Sequence, residues 1–218
     1  MGVPRRGQRL AQLIFGEFRV SPWRTILMLR RPGLFLVGRG FRVRGGKNIS
    51  ATAPGSILSL GIRAFHFADN RVTGLLRVRG LLRFSGSVSV GSGNRWDIGP
   101  GATMTVGEDS YFSPSTMVVI SSGLTIGTNC AVGWNVQFLD DDFHSSALVG
   151  GELKPSSIPI VIGDNVWIGS HSKIFKGVRI ANGCVVAGNS TVTRSFPEEN
   201  CLIGGSPARV IRHNSSWV

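Results

Sequence analysis

The stretch Ile162-Gly163-Asp164-Asn165-Val166-Trp167-Ile168-Gly169-Ser170 opens a run in which an apolar residue returns at every sixth position. The series is Ile162, Ile168, Ile174, Ile180, Val186 and Val192. The residue after four of them is small: Gly163, Gly169, Ala181 and Ala187. The fifth residue of successive units is Val166, Ser172, Val178, Cys184 and Ser190, and Phe196 then breaks the rule. A period of six matches neither a helix nor an alternating strand, so it has to come from architecture. A chain that turns a corner every six residues closes one coil of a triangular prism about every eighteen. The apolar first position then points inward, and the small second position lets the backbone bend. The run predicts an all-β chain, a hexapeptide-repeat parallel β-helix.

The register continues upstream with interruptions. Ile126-Gly127 and Val132-Gly133 are two units, and Phe138 begins a third. Before them stand Val106-Gly107, Phe112 and Val118, and before those Ile98-Gly99 and Met104. The steps from Met104 to Val106 and from Val118 to Ile126 are not multiples of six, so bulged or re-registered turns are expected there. Val88-Ser89-Val90-Gly91 and Lys47-Asn48-Ile49-Ser50 read as early, degenerate coils.

Composition suits one elongated domain. The 218 residues include 30 glycines and are 42% hydrophobic, enough for a long, narrow core with frequent corners. The expected organisation is a basic N-terminal segment over 1–40, a β-helix over 41–212 with a loop inserted at 139–160, and a frayed tail over 213–218. Cys130 and Cys184 fall at inward fifth positions, and with Cys201 they make an odd number. Buried reduced thiols of a cytoplasmic protein are expected, with no metal site in the cysteine or histidine spacing.

Charge is unevenly divided. The first 95 residues hold 17 Lys and Arg against two acids, Glu17 and Asp69, so the chain's +12 belongs to this part. Its apolar runs are too short for a membrane span, and Glu17 and Arg19 end the first before it forms a signal-peptide core. An amphipathic helix near 8–18 would suit an anionic membrane surface, with Arg5, Arg6 and Arg9 near lipid phosphates. The same charge suits a nucleic acid, or arginines that simply decorate a capping helix. No nucleic-acid motif accompanies it, so that partner is disfavoured.

Chemistry is expected where the beat lapses. After Phe138 the register is lost until Ile162, and the insertion opens Leu139-Asp140-Asp141-Asp142-Phe143-His144. Long loops leaving a regular solenoid are commonly functional. A histidine titrating near neutrality can take a proton from an attacking hydroxyl or amine, and a carboxylate can hold its tautomer. Loop-start solvation and an incidental histidine are the plain alternative.

The repeat, this loop and the closing Gly204-Gly205-Ser206-Pro207-Ala208-Arg209-Val210-Ile211-Arg212 resemble the left-handed β-helix acyltransferases, in particular the maltose/galactoside O-acetyltransferase branch. The Asp140-x-Asp142-x-His144 opening resembles acetyltransferases of capsular and other envelope polysaccharides. The resemblance covers roughly residues 98–212 and is absent over about the first 40. It implies His144 as general base, oriented by Asp140 or Asp142. It also implies an acetyl-coenzyme A co-substrate held by Trp167, Gly169, Ser170, Gly188 and Thr193, with Arg194, Arg209 and Arg212 on its phosphates. Packing and solvated charge are the plain readings of these residues. The Glu198-Glu199 pair departs from the pattern and puts negative charge near the proposed phosphates.

The resemblance further implies a homotrimer with sites between neighbouring prisms. The activity so implied is O-acyl transfer to a saccharide of the envelope or its lipid-linked precursor, in the cytoplasm, at the inner membrane face. The alternatives are an N-acyltransferase of a nucleotide-linked amino sugar and a non-catalytic solenoid that binds membrane or polyanion. Of the other histidines, His171 sits on a coil corner, His66 on an early coil and His213 in the tail.

Overall fold

The computed structural model describes residues 34–62, 72–144 and 155–217. Strands β1 (Leu34–Val37), β2 (Phe41–Arg44) and β3 (Ile49–Ala51) make the first coil. The second has β4 (Ile57–Leu60), β5 (Gly74–Val78) and β6 (Leu81–Phe84), and the third β7 (Ser87–Val90), β8 (Arg95–Ile98) and β9 (Thr103–Val106). Next come β10 (Tyr111–Phe112), β11 (Met117–Ile120) and β12 (Gly123–Ile126), then β13 (Ala131–Val132), β14 (Gln137–Leu139) and β15 (Ile160–Ile162). The narrowest coils are β16 (Trp167–Ile168), β17 (Lys173–Phe175) and β18 (Arg179–Ile180), then β19 (Val185–Val186) and β20 (Thr191–Val192). A hairpin of β21 (Leu202–Gly205) and β22 (Ala208–Arg212) caps the end.

Each coil gives one strand to each of three faces. Face one runs β1-β4-β7-β10-β13-β16-β19-β21-β22, face two β2-β5-β8-β11-β14-β17-β20, and face three β3-β6-β9-β12-β15-β18. Among the described strands pairing between coils is parallel, and the β21–β22 hairpin is antiparallel. A prism of parallel sheets follows from the beat, since the first and fifth positions of each six point inward and fill the interior.

The irregular steps have a different cause from the one expected. Val118 and Ile120 both point inward from one four-residue strand, as do Met104 and Val106. The register runs unbroken through both strands, so no bulge is needed. The early coils are simply longer: Phe84 is in register with Val106 and Trp96 with Val118, each 22 residues on. The step falls to 20 from Val118 to Phe138 and to 18 from Ile174 to Val192. A wider coil needs larger filling. Trp96 packs edge-on to Phe112 at 4.6 Å and Phe35 to Phe84 at 5.6 Å, whereas the narrow coils are filled by Ile and Val. Buried Asn94 serves this wide interior, donating to the Gly91 and Ser113 carbonyls and accepting from Trp96 Nε1.

Two boundaries shift. The solenoid is already present at Leu34–Val37, inside the segment expected to precede it. The tail is not frayed: Ser215 is buried and its amide donates to the Asn200 carbonyl, while Trp217 Nε1 donates to the Asn165 carbonyl. The helix expected near 8–18, His66 and the centre of the loop lie outside the described residues. All three cysteines are buried and free, and burial pushes each thiol above its ordinary value. Among the described residues no helix is long and apolar enough to cross a membrane.

Candidate active site

Two corners of the prism carry the candidate residues, one on either side of face two. Where face one turns into face two, successive coils stack Gly133-Trp134-Asn135 under Gly169-Ser170-His171 under Ala187-Gly188-Asn189. The His171 amide donates to the Trp134 carbonyl at 2.9 Å, and the Asn189 amide to the Ser170 carbonyl at 2.8 Å. Asn135, His171 and Asn189 all take the left-handed conformation. A Cβ on Gly169 would lie 2.5 Å from the Gly188 nitrogen, and one on Gly133 2.6 Å from the Ser170 nitrogen. Coil stacking alone therefore demands these glycines, whatever ligand the corner holds.

Beside this corner, face one carries an outward column in which Tyr111 pairs with Ala131 and Ala131 with Trp167. A groove of about 430 Å³ opens there, lined by Tyr111, Ser113, Ala131, Gly133, Trp134, Trp167, Ser170 and Trp217. Trp167 is 44% exposed and Trp134 43%. The Trp217 ring stands 6.5 Å from that of Trp167, so the tail forms one wall. Apolar walls with a hydroxyl and bare corner backbone suit a thin, extended arm carrying amides. Trp167 and Ser170 line this groove, and Gly169 and Gly188 lie in the adjoining corner stack. Tyr111, Trp134 and Trp217 were missed, because register between coils, rather than sequence proximity, brings them together.

The second corner, where face two turns into face three, carries the loop. Its two ends zip together: Asp141 bridges Ser157, the Asp142 amide donates to the Ser156 carbonyl, and the Ile158 amide to the Asp140 carbonyl. Lys176 Nζ clamps the root, donating to the Asp142 carboxylate and to the Pro155 and Ser156 carbonyls. His144 follows directly and is exposed. Its Nδ1 lies 3.3 Å from the Asp142 carbonyl oxygen, which can only accept, so a hydrogen bond there is donated by Nδ1.

The three acids divide the work differently from the expected orientation of His144. Asp140 lies two residues beyond inward Phe138, so strand alternation sends it inward as well. It is fully buried and accepts from the Ser121, Ser122 and Gly123 amides at 2.7, 2.8 and 2.6 Å. Asp140 thus pins a neighbouring coil and does not orient His144. Burial pushes its carboxyl up, against the pull of those amides. Asp141 caps the Phe143 amide, and Asp142 reaches His144 through its main chain only, its carboxylate being held by Lys176.

The implied phosphate ligands are divided too. Thr193 and Arg194 follow β20 at the loop corner, where the Arg194 guanidinium lies 5.3 Å from the Phe196 ring centroid. Arg209 and Arg212 stand on β22 at the end of face one, where Arg209 donates to the Ala208 carbonyl and Arg212 to Ser215 Oγ. One chain does not gather these three arginines. Glu198 and Glu199 are engaged elsewhere, with His213 and with the Asn182 amide.

Residues 159–194 match the family model "Hexapeptide repeat of succinyl-transferase". The chain is 38% identical over 176 residues to an uncharacterized 24.8 kDa protein in the cps region of Klebsiella pneumoniae, covering 81% of this chain and 78% of that protein. It is 33% identical over 130 residues to the galactoside O-acetyltransferase of Escherichia coli, covering 50% of this chain and 63% of that enzyme. The crystal structure of the polySia-specific acetyltransferase NeuO superposes with a TM-score of 0.53 at 19% identity, over 85% of this chain and 78% of that one, and shares the fold. The chain belongs to the hexapeptide-repeat acetyltransferase family, with the left-handed parallel β-helix of that family.

Proposed function

We propose that the protein transfers an acyl group, most simply acetyl, from coenzyme A to a sugar hydroxyl, with His144 as general base. The observation that carries this is the pairing of an exposed histidine, its Nδ1 turned to a carbonyl, with a tryptophan-walled groove of the right shape for a pantetheine arm. Nε2 takes the proton as the hydroxyl oxygen attacks the thioester carbonyl. The tetrahedral intermediate collapses, the C–S bond breaks, and the departing thiolate takes the proton from the imidazolium. The likeness to a galactoside O-acetyltransferase supports a hydroxyl acceptor.

The base and the groove lie on opposite sides of face two, so one complete site combines the loop corner of one copy with the groove corner of another. Face two suits such an interface: Val119, Leu139 and Phe175 form an outward apolar column in consecutive register. A closed ring of three copies satisfies every corner, which supports a homotrimer. The same face carries Arg42, Arg44, Arg77 and Arg95 on its first coils, with Asp97 paired to Arg77 and Arg79. That cationic end supports an acceptor bearing phosphate or carboxylate, such as an envelope polysaccharide or its lipid-linked precursor at the inner membrane face.

A screen of acyl-coenzyme A donors against neutral, acidic and amino sugars, following free thiol, tests this reading. Acceptor-dependent thiol release on hydroxyl sugars is expected. Turnover on amino sugars alone would contradict O-transfer, and coenzyme A that neither binds nor stabilises the protein would contradict an acyltransferase.

A further inference from the structure

The C-terminal cap holds a cluster outside the site described above. Glu198, Cys201 and His213 come from a turn and from the tail, and each presents one donor atom within 4.8 Å of the other two. His213 Nδ1 lies 2.9 Å from Glu198 Oε1 and 3.6 Å from Cys201 Sγ. Asn200, in the left-handed conformation, turns the chain so that Glu198 and Cys201 face the same point. The Cys184 thiol, one coil earlier, lies beside that of Cys201 and donates to the Glu198 carbonyl at 3.3 Å.

We propose that Cys201, His213 and Glu198 bind a zinc-class divalent cation, with Cys184 or a water in the fourth position. Thiolate, imidazole and carboxylate together are a zinc donor set, and tetrahedral bonds of about 2.0–2.3 Å put donor atoms roughly 3.3–3.8 Å apart, close to the spacing here. The geometry excludes the rival use of these residues as a nucleophile–base–acid relay. A relay engages both ring nitrogens, whereas the thiol and the carboxylate here converge on Nδ1 alone. Cys201 is also fully buried, out of reach of a substrate, while Glu198 and His213 are exposed and give an ion its way in. The cation would fasten the tail that carries Trp217 to the coils.

The test uses untagged, full-length protein stripped with a chelator and titrated with zinc alone, and in parallel with cobalt(II). One zinc per chain is expected, together with a thiolate-to-cobalt charge-transfer band and a melting temperature raised by several degrees. His213→Gln and Glu198→Gln alter exposed side chains, and each should weaken zinc binding at least tenfold and abolish the thermal shift. Cys201→Ser should remove the cobalt band, and His171→Gln, outside the cluster, should leave zinc binding unchanged. If Cys201→Ser does not fold, the two exposed variants decide. Absence of stoichiometric zinc, binding unchanged in His213→Gln, or a Cys184–Cys201 disulfide in the freshly purified protein would each overturn the proposal.

Discussion

The two corners flanking face two are built on opposite principles. At the groove corner every residue is dictated by the coil above or below. Gly133 and Gly169 are small because their neighbours' backbones leave no room, and Asn135, His171 and Asn189 repeat one left-handed turn. At the loop corner the stack is interrupted, and order comes from local devices instead: the Asp141–Ser157 bridge, the Lys176 clamp and the buried Asp140 splint. Stacking yields a shaped, repetitive surface fit to hold an extended molecule. Interruption frees one side chain, His144, from any packing duty. On the function proposed above this is a division of labour: regular coils bind, and the lapse between them reacts.

Substitutions at the two corners should therefore fail in different ways. His144→Ala should lower turnover about 10²–10⁴-fold, the usual range for a general base, and leave the melting temperature unchanged because the side chain is exposed. A steady-state assay with a melting curve separates the two readouts, and normal turnover would break the comparison. Asp140→Ala should do the reverse. It strips the acceptor from three amides, costing about 3 kcal/mol or more, read as a fall in denaturant midpoint. At the groove corner Ser170→Trp should raise the KM for the acyl donor about tenfold or more by filling the groove, with stability little changed.

The smaller effects refine the contrast. Asp142→Asn loosens the loop root but removes only a partly exposed ion pair, so it should cost less than about 1 kcal/mol and show chiefly as lower kcat. Asp140 should also leave a mark on the pH profile of stability. Its folded pKa lies above the ordinary 3.8, so the folded state holds that proton more tightly than the unfolded. This contribution favours folding below the ordinary value and is lost as pH rises through the raised one. Comparing pH-dependent denaturation of the wild type with that of Asp140→Asn should show the slope disappear.

The narrow coils were legible in the sequence because the first and fifth positions of each six point inward. The wide coils were legible only in outline. There Val118 with Ile120 and Met104 with Val106 supply two inward residues per strand, which masks the beat and reads as a slip in register. His144 stood out as a candidate because an interruption of the repeat is a local signal, whereas Trp167 came from the resemblance alone. Asp140 misled for a physical reason: next to two other acids it looks like solvated charge, and only its alternation with Phe138 turns it inward. Trp217 could not be assigned, since it meets Asn165, 52 residues away, through a tail with no periodicity of its own.

The central claim is that one reaction centre draws its base from one chain and its donor groove from another. Mixing tests it directly. His144→Ala chains, deficient in turnover, and Ser170→Trp chains, deficient in donor binding, are to be unfolded together, refolded and assayed below the donor KM against each variant refolded by itself. Random assembly into rings should leave about a quarter of the sites with an intact base and an intact groove, and activity should return to roughly that fraction of wild type. Mixed assemblies that form but are no more active than their parents would show that each chain carries its own complete site, and would contradict the account.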